Sequence, residues 1–321
     1  MDYIYAHCPR CGTTSRQDGK VAFGQRIGLA GNMNENLQPV NKFIKFLQFP
    51  PVRVFIGFAL LLLVVSLVQI ATAAWPGQST NFLSVVSAII TVVLVSFAYY
   101  GFVRVIERRS VTELSSRNSL VELSMGVLVG AVLFSVTIGI LWLLGYYKVI
   151  GVNPWTVMFS WLVLAIISGV SEELLFRGIL FRVVEESLGT WFSLAISALI
   201  FGLFHLANPN ATLWGAIAIA IEAGVMLAAA FVYTRRLWLP IGIHFAWNFV
   251  QGAIFGVAVS GNEATGLLQS TLNGPSLLSG GAFGAEGSIF AVLVCLIAGI
   301  YFIWRSYQQG KFIKPFWDRS K

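Results

Sequence analysis

The chain has 321 residues, of which 57% are hydrophobic and only 11% charged, where a soluble domain carries about a quarter charged. With a mean hydropathy of +0.78, this excludes a disordered tail, a small disulfide scaffold and an ordinary cytosolic enzyme. The net charge of +7 comes from basic residues at the ends of apolar blocks. They read as topology signals and lipid-headgroup contacts, with the bilayer rather than a nucleic acid as partner.

In chain order, residues 1–50 read as a polar cytoplasmic arm without the short apolar stretch of a signal peptide. Within it, His7-Cys8-Pro9-Arg10-Cys11-Gly12 resembles half of a zinc ribbon. Cys8 and Cys11 would form one side of a structural zinc site, and the second pair is missing. The third cysteine, Cys295, lies in an apolar run and reads as a packing residue.

A transmembrane domain is expected over 51–306, followed by a basic cytoplasmic tail, 307–321. The fold class is an all-α polytopic membrane protein of about eight spans, at ~20 residues per span. They run from about Val54 to Ala74, Phe82 to Val103 and Ser124 to Tyr146. A fourth starts near Trp155 and loses its apolarity at Glu172. The others run from Trp191 to Leu206, Thr212 to Val232, Trp238 to Ala258 and Ser288 to Trp304. Arginines and lysines alternate between loops. Arg104, Arg108 and Arg109 follow the second span, Arg177 and Arg182 the fourth, and Arg235 and Arg236 the sixth. The intervening loops have almost none, which predicts both termini in the cytoplasm. The Gly- and Ser-rich stretch Gly261–Gly287 reads as a flexible surface loop.

The informative residues are polar groups inside apolar helices. An ionisable group at the bilayer centre costs at least ~2.5 kcal/mol, so each is a functional candidate. Glu172 and Glu173 follow an apolar run, and Glu173 shares a helix face with Arg177. Phe201 stands one turn before His205, and His244 one turn before Asn248. Alone, each motif is also explained by a solvated helix end or by interhelical hydrogen bonding. Together they supply the groups that activate water. Glu172, His205 and His244 could hold a zinc ion with an open position. Alternatively, Glu172 with His205 could act without metal. Asn248 or His244 would stabilise an oxyanion, with Glu173 and Arg177 fixing the inner residues. Glu222, a buried acid in the sixth span, is placed in the supporting layer.

These motifs, Glu172-Glu173-x-x-x-Arg177, Phe201-x-x-x-His205 and His244-x-x-x-Asn248, resemble those of the CPBP family of intramembrane proteases. That family includes the type II CAAX prenyl endopeptidases and the abortive-infection proteins. The resemblance covers about 155–259. It implies an intramembrane endopeptidase, of metalloprotease or glutamate type, acting on a membrane protein or lipidated peptide. In it Glu172 would activate water with His205, and His244 and Asn248 would complete the site.

With straight spans Glu172 and His205 would sit at opposite ends, roughly 15 Å apart in depth. The fourth span is therefore expected to be a long tilted helix continuing towards Glu186, around a polar cavity open to the cytoplasm. The alternative function is a non-catalytic scaffold, immunity or regulatory protein that keeps the fold. A transporter with a proton relay is disfavoured, because no internal repeat is visible.

Overall fold

The computed structural model describes residues 42–73 and 81–319. The Cys8–Cys11 knuckle and most of the expected N-terminal arm lie outside them. The described residues are 76% helical and hold six helices long and apolar enough to cross a membrane, as the all-α polytopic class requires. A short helix, Lys42–Leu47, leads into α1 (Pro50–Ala73). Pro50 and Pro51 open α1, where a missing N–H costs nothing. Then come α2 (Asn81–Glu107) and α3 (Ser119–Leu143).

Among the described residues, six helices are long and apolar enough to cross a membrane, against the eight spans expected. The difference has two sources. The Trp155–Ala207 helix is 53 residues long, about 80 Å at 1.5 Å per residue, and folds back at Gly189. It therefore contains two rods, α4 (155–188) and α5 (190–207). After α6 (Leu213–Thr234), the segment expected as the seventh span forms α7 (238–254), which is shorter than a full crossing. The last long helix is α8 (Ile289–Gln308).

Gly189 has φ 79° and ψ 173°, in the region that favours glycine. A Cβ there would stand 2.7 Å from the Ile313 carbonyl oxygen. The C-terminal segment lies across the reversal, with Thr190 N donating to Ile313 O at 3.0 Å.

Burial separates the periphery from the centre. The most apolar window of α1 is 17% buried and that of α6 72%, so α1 faces lipid and α6 runs through the middle. α3 and α7 approach closely through a Gly126-x-x-x-Gly130 face. A Cβ on Gly130 would lie 2.3 Å from the Ile243 carbonyl, so the glycine fixes the depth of α7 beside His244.

The two ends of the bundle differ. One carries a belt of ion pairs: Arg53 with Glu186 at 2.5 Å, Arg182 with Glu107, Arg109 with Glu113 at 2.6 Å, Arg235 with Glu185 at 2.5 Å, and Arg236 with Glu122. The opposite end carries an antiparallel ribbon of β1 (Tyr147–Val152) and β2 (Leu268–Leu272), paired from Tyr147↔Leu272 to Val152↔Leu268 with a one-residue register shift between Val149 and Gly151.

The stretch expected to be a flexible surface loop is folded instead. It contains β2 and a turn of helix at Ser276–Ser279. It also buries Phe283 (2% exposed), Ala285 (0%) and Glu286 (2%). Its glycines take turn conformations that let the chain pack rather than wave.

Candidate active site

Glu172 lies near the middle of α4, about 24 Å along the axis from the Gly189 reversal. The helical part of α5, 190–204, rises about 23 Å from the same level. His205 follows at once, in the 3-10 turn His205–Ala207. The two residues therefore meet at one depth, and the long fourth helix removes the expected mismatch. The α-helical part of α5 is also shorter than a ~30 Å bilayer core, which is the length expected of a rod that ends with His205 below the bilayer surface.

His205 Nε2 and His244 Nε2 each lie 3.9 Å from Glu172 Oε2. That is too far for a direct hydrogen bond and short enough for one water to bridge. Glu172 Oε2 is buried and has no hydrogen-bond partner among the described residues. The side chain is 24% exposed, towards a chamber of about 290 Å³.

Each imidazole is oriented from behind. His205 Nδ1 lies 2.8 Å from the Phe201 carbonyl, which only accepts, so Nδ1 carries the hydrogen. His244 Nδ1 lies 2.9 Å from Glu173 Oε1 and donates to it. Both Nε2 atoms therefore present lone pairs to the Glu172 side. Glu173, 0% exposed, also accepts from Arg177 Nη1 at 2.7 Å. Arg177 Nη2 donates to the Ala223 and Gly224 carbonyls of α6 at 2.9 and 3.2 Å. The π-helical stretch Leu174–Phe181 carries Arg177 within α4; such bulges recur at functional sites. Phe201 separates cation from imidazole, with Arg177 Cζ 4.6 Å and the His205 ring 4.7 Å from its centroid. The adjacent glutamates thus divide: Glu173 is locked into a buried triad, while Glu172 faces the chamber.

Asn248 also lines the chamber, and its Nδ2 donates to Ser168 Oγ at 3.0 Å. Ser168 was missed in the sequence, although it stands one turn before Glu172 on the same helix face. The expected direction of opening is corrected. Asn208, Ser260, Asn262 and Glu263 wall the chamber, and they belong to the loops opposite the arginine belt. The cavity therefore does not open at the arginine end, because α5 stops short and its loop sinks towards Glu172.

Behind the histidines is a smaller cavity of about 20 Å³, room for one water. Glu222, 1% exposed, lines it with Oε2 unpartnered. Glu286 lines it as well. Glu286 accepts from Ser260 N and, at 3.4 Å, from Trp247 Nε1. Burial pushes its carboxyl up to about 7 against those hydrogen bonds. Nothing in the sequence marked Glu286 except an acid in a glycine-rich loop.

The donor types at the site suit zinc, but their spacing does not. Ligand bonds of about 2.1 Å at tetrahedral angles put donor atoms about 3.4 Å apart, and here the N···O separations are 3.9 Å. Among the described residues no group of three or more His, Cys, Asp or Glu is spaced to hold a metal ion.

Residues 154–250 match the family described as "Type II CAAX prenyl endopeptidase Rce1-like". A stretch of 87 residues, 27% of the chain, is 31% identical to the "Putative membrane peptidase YdiL" of Bacillus subtilis (strain 168). The match spans about a third of that relative's length, 33%. No solved structure matches the chain. The matched segment holds Glu172, Glu173, Arg177, Phe201, His205, His244 and Asn248, so the resemblance read from three motifs is borne out there: over 154–250 the chain is similar to the Rce1-like type II CAAX prenyl endopeptidases.

Proposed function

We propose that this chain is an intramembrane endopeptidase that hydrolyses peptide bonds of membrane proteins or lipidated peptides through water activated by Glu172. One observation carries the reading: two imidazole Nε2 atoms converge at 3.9 Å on an unpartnered Glu172 oxygen inside a polar chamber at membrane depth. A water in that gap donates one hydrogen to Glu172 and the other to an imidazole Nε2, which turns its lone pair towards a substrate carbonyl. Glu172 takes the proton as the oxygen attacks, then passes it to the departing amine. The Asn248 amide, now held by Ser168, turns to the tetrahedral oxyanion. Glu173 and Arg177 keep His244 in the required tautomer. The chemistry needs no Lewis acid, and turnover is expected to survive exhaustive chelation. By the loop-charge rule the arginine belt and both termini are cytoplasmic, with the chamber opening on the other face.

The test compares wild type with Glu172→Gln in matched membranes, by sequencing new peptide N-termini. Termini produced only by wild type establish the protease and name its substrates. Identical termini, with both proteins folded, replace the reading with a non-catalytic scaffold.

A further inference from the structure

Two apolar grooves run along the outside of the bundle, and their mouths at the arginine end differ in charge. One, of about 720 Å³, lies between α1 and the α4–α5 hairpin, with Pro50, Phe58, Leu188 and Phe204 in its lining. The arginines beside its mouth are matched, since Arg53 and Arg182 each meet both Glu186 and Glu107. The other, of about 770 Å³, lies between α3 and α8. Met125 and Val129 form one side and Ile297 and Tyr301 the other, while Tyr233 of α6 and Leu239 of α7 complete the lining.

At the mouth of the α3–α8 groove, cations outnumber carboxylates. Arg236 is paired with Glu122, which lines the groove, and Arg235 with Glu185. Lys311 and Arg305 have no carboxylate partner among the described residues. The Lys311 ammonium donates to the Tyr233 carbonyl and lies 5.2 Å from the Tyr233 ring centroid. Its backbone returns to the last turn of α8, with Lys311 N donating to Ser306 O at 3.1 Å. Arg305 stands one turn after Tyr301 on the same face of α8. Its Nη1 donates to Gln308 Oε1 at 3.3 Å, and its Nε is buried without a partner among the described residues. Burial and the neighbouring Arg235 and Arg236 guanidiniums push the Lys311 ammonium below its ordinary value, as an excess of positive charge requires. We propose that the α3–α8 groove binds an anionic phospholipid, with its tails between the two helices and its phosphate held by Arg305 and Lys311. Tails alone select no lipid, because groove and bilayer core are equally apolar. The unmatched cations select the headgroup. The groove beside α1, whose arginines are already neutralised, takes lipids without that preference. The inference does not rest on the endopeptidase reading, since binding is read without turnover.

The experiment is native mass spectrometry of the full-length protein released from micelles, after equilibration with phosphatidylglycerol or phosphatidylcholine of the same chains. Wild type is expected to retain one phosphatidylglycerol over phosphatidylcholine by about tenfold to thirtyfold, for two cations at a membrane surface, and by less at high ionic strength. Arg305→Gln and Lys311→Gln each lower that ratio by about fivefold. Arg104→Gln removes the same charge from an exposed position on α2 that lines neither groove, and leaves the ratio unchanged. Ala298→Phe fills the groove and abolishes retention with the cations intact. Melting temperatures in phosphatidylcholine check that each variant is folded. Equal retention of the two lipids by wild type, or an equal fall in Arg104→Gln, replaces the site by diffuse attraction and overturns the proposal. Retention untouched by Ala298→Phe overturns it too. A lipid-free dimer that Ala298→Phe splits assigns the groove to a second copy of the chain instead.

Discussion

At the arginine end the carboxylates are matched. Glu107 meets Arg182 and Arg109, Glu186 meets Arg53 and Arg182, and Glu185 meets Arg235. Around the chamber, Glu173 Oε1 is matched in the same way, by Arg177 and His244, while its Oε2 is buried without a partner among the described residues. The neighbouring Glu172 is not matched, and neither is Glu222 Oε2. The same residue type therefore serves two ends. Paired, it fixes helices against one another. Unpaired at membrane depth, it is expensive to keep and signals chemistry. On the proposed reading, the arginine belt is expected to lose a pair and still leave a working site, whereas loss of the free oxygen in the chamber is expected to abolish it.

Substitutions sharpen that contrast. Glu172→Gln removes the free oxygen's basicity and is expected to lower peptide cleavage by about 10³-fold, with thermal stability preserved. Arg177→Met leaves the Glu173 carboxylate without its guanidinium in a site that is 0% exposed. It is expected to destabilise by about 3–5 kcal/mol, read as a lower melting temperature with activity lost alongside. Gly130→Ala forces α7 away from α3. A displacement of about 1 Å at His244 lowers cleavage by about 10²-fold, with a smaller fall in melting temperature.

Glu286 tests the contrast through pH. Its folded-state value of about 7 lies above the ordinary 4.5, so the native state binds the extra proton between these values. Stability is expected to fall as pH rises through that window, and Glu286→Gln to flatten the profile by up to about 3 kcal/mol. The smallest effect is at the belt. Burial alone would raise Glu113, but hydrogen bonds from Arg109 and Tyr99 hold it below the usual carboxylate range. Its contribution is present above the unfolded value and lost as acid protonates it. Glu113→Gln should cost about 2 kcal/mol at neutral pH and leave cleavage intact.

Much of the site was legible because its spacing is local. Glu173 and Arg177, Phe201 and His205, and His244 and Asn248 each lie four residues apart, so helical periodicity alone brings them together. The requirement that Glu172 meet His205 also predicted a fourth helix running past Arg177. What stayed hidden depended on tertiary contacts. The reversal at Gly189 is a single glycine in a helical pattern, and its cause is the distant Ile313 carbonyl. The packing of 261–287 rests on Phe283 and Glu286 finding partners far away in sequence, while glycine-rich composition points to mobility. The side on which the chamber opens follows from how short α5 is, and span prediction by hydropathy does not measure that.

That shortness carries a further consequence. The α-helical part of α5, 190–204, is about 23 Å long beside a bilayer core of about 30 Å, and such a hydrophobic mismatch is relieved by thinning of the lipid around the shorter element. Where α5 ends, the lipid surface is expected to dip towards His205 and to bring headgroup water with it. On the proposed reading, the reacting water would then arrive by an interface drawn inward rather than by a channel through the whole membrane. Bilayer thickness would become a control on turnover, with shorter-chain lipids expected to raise it.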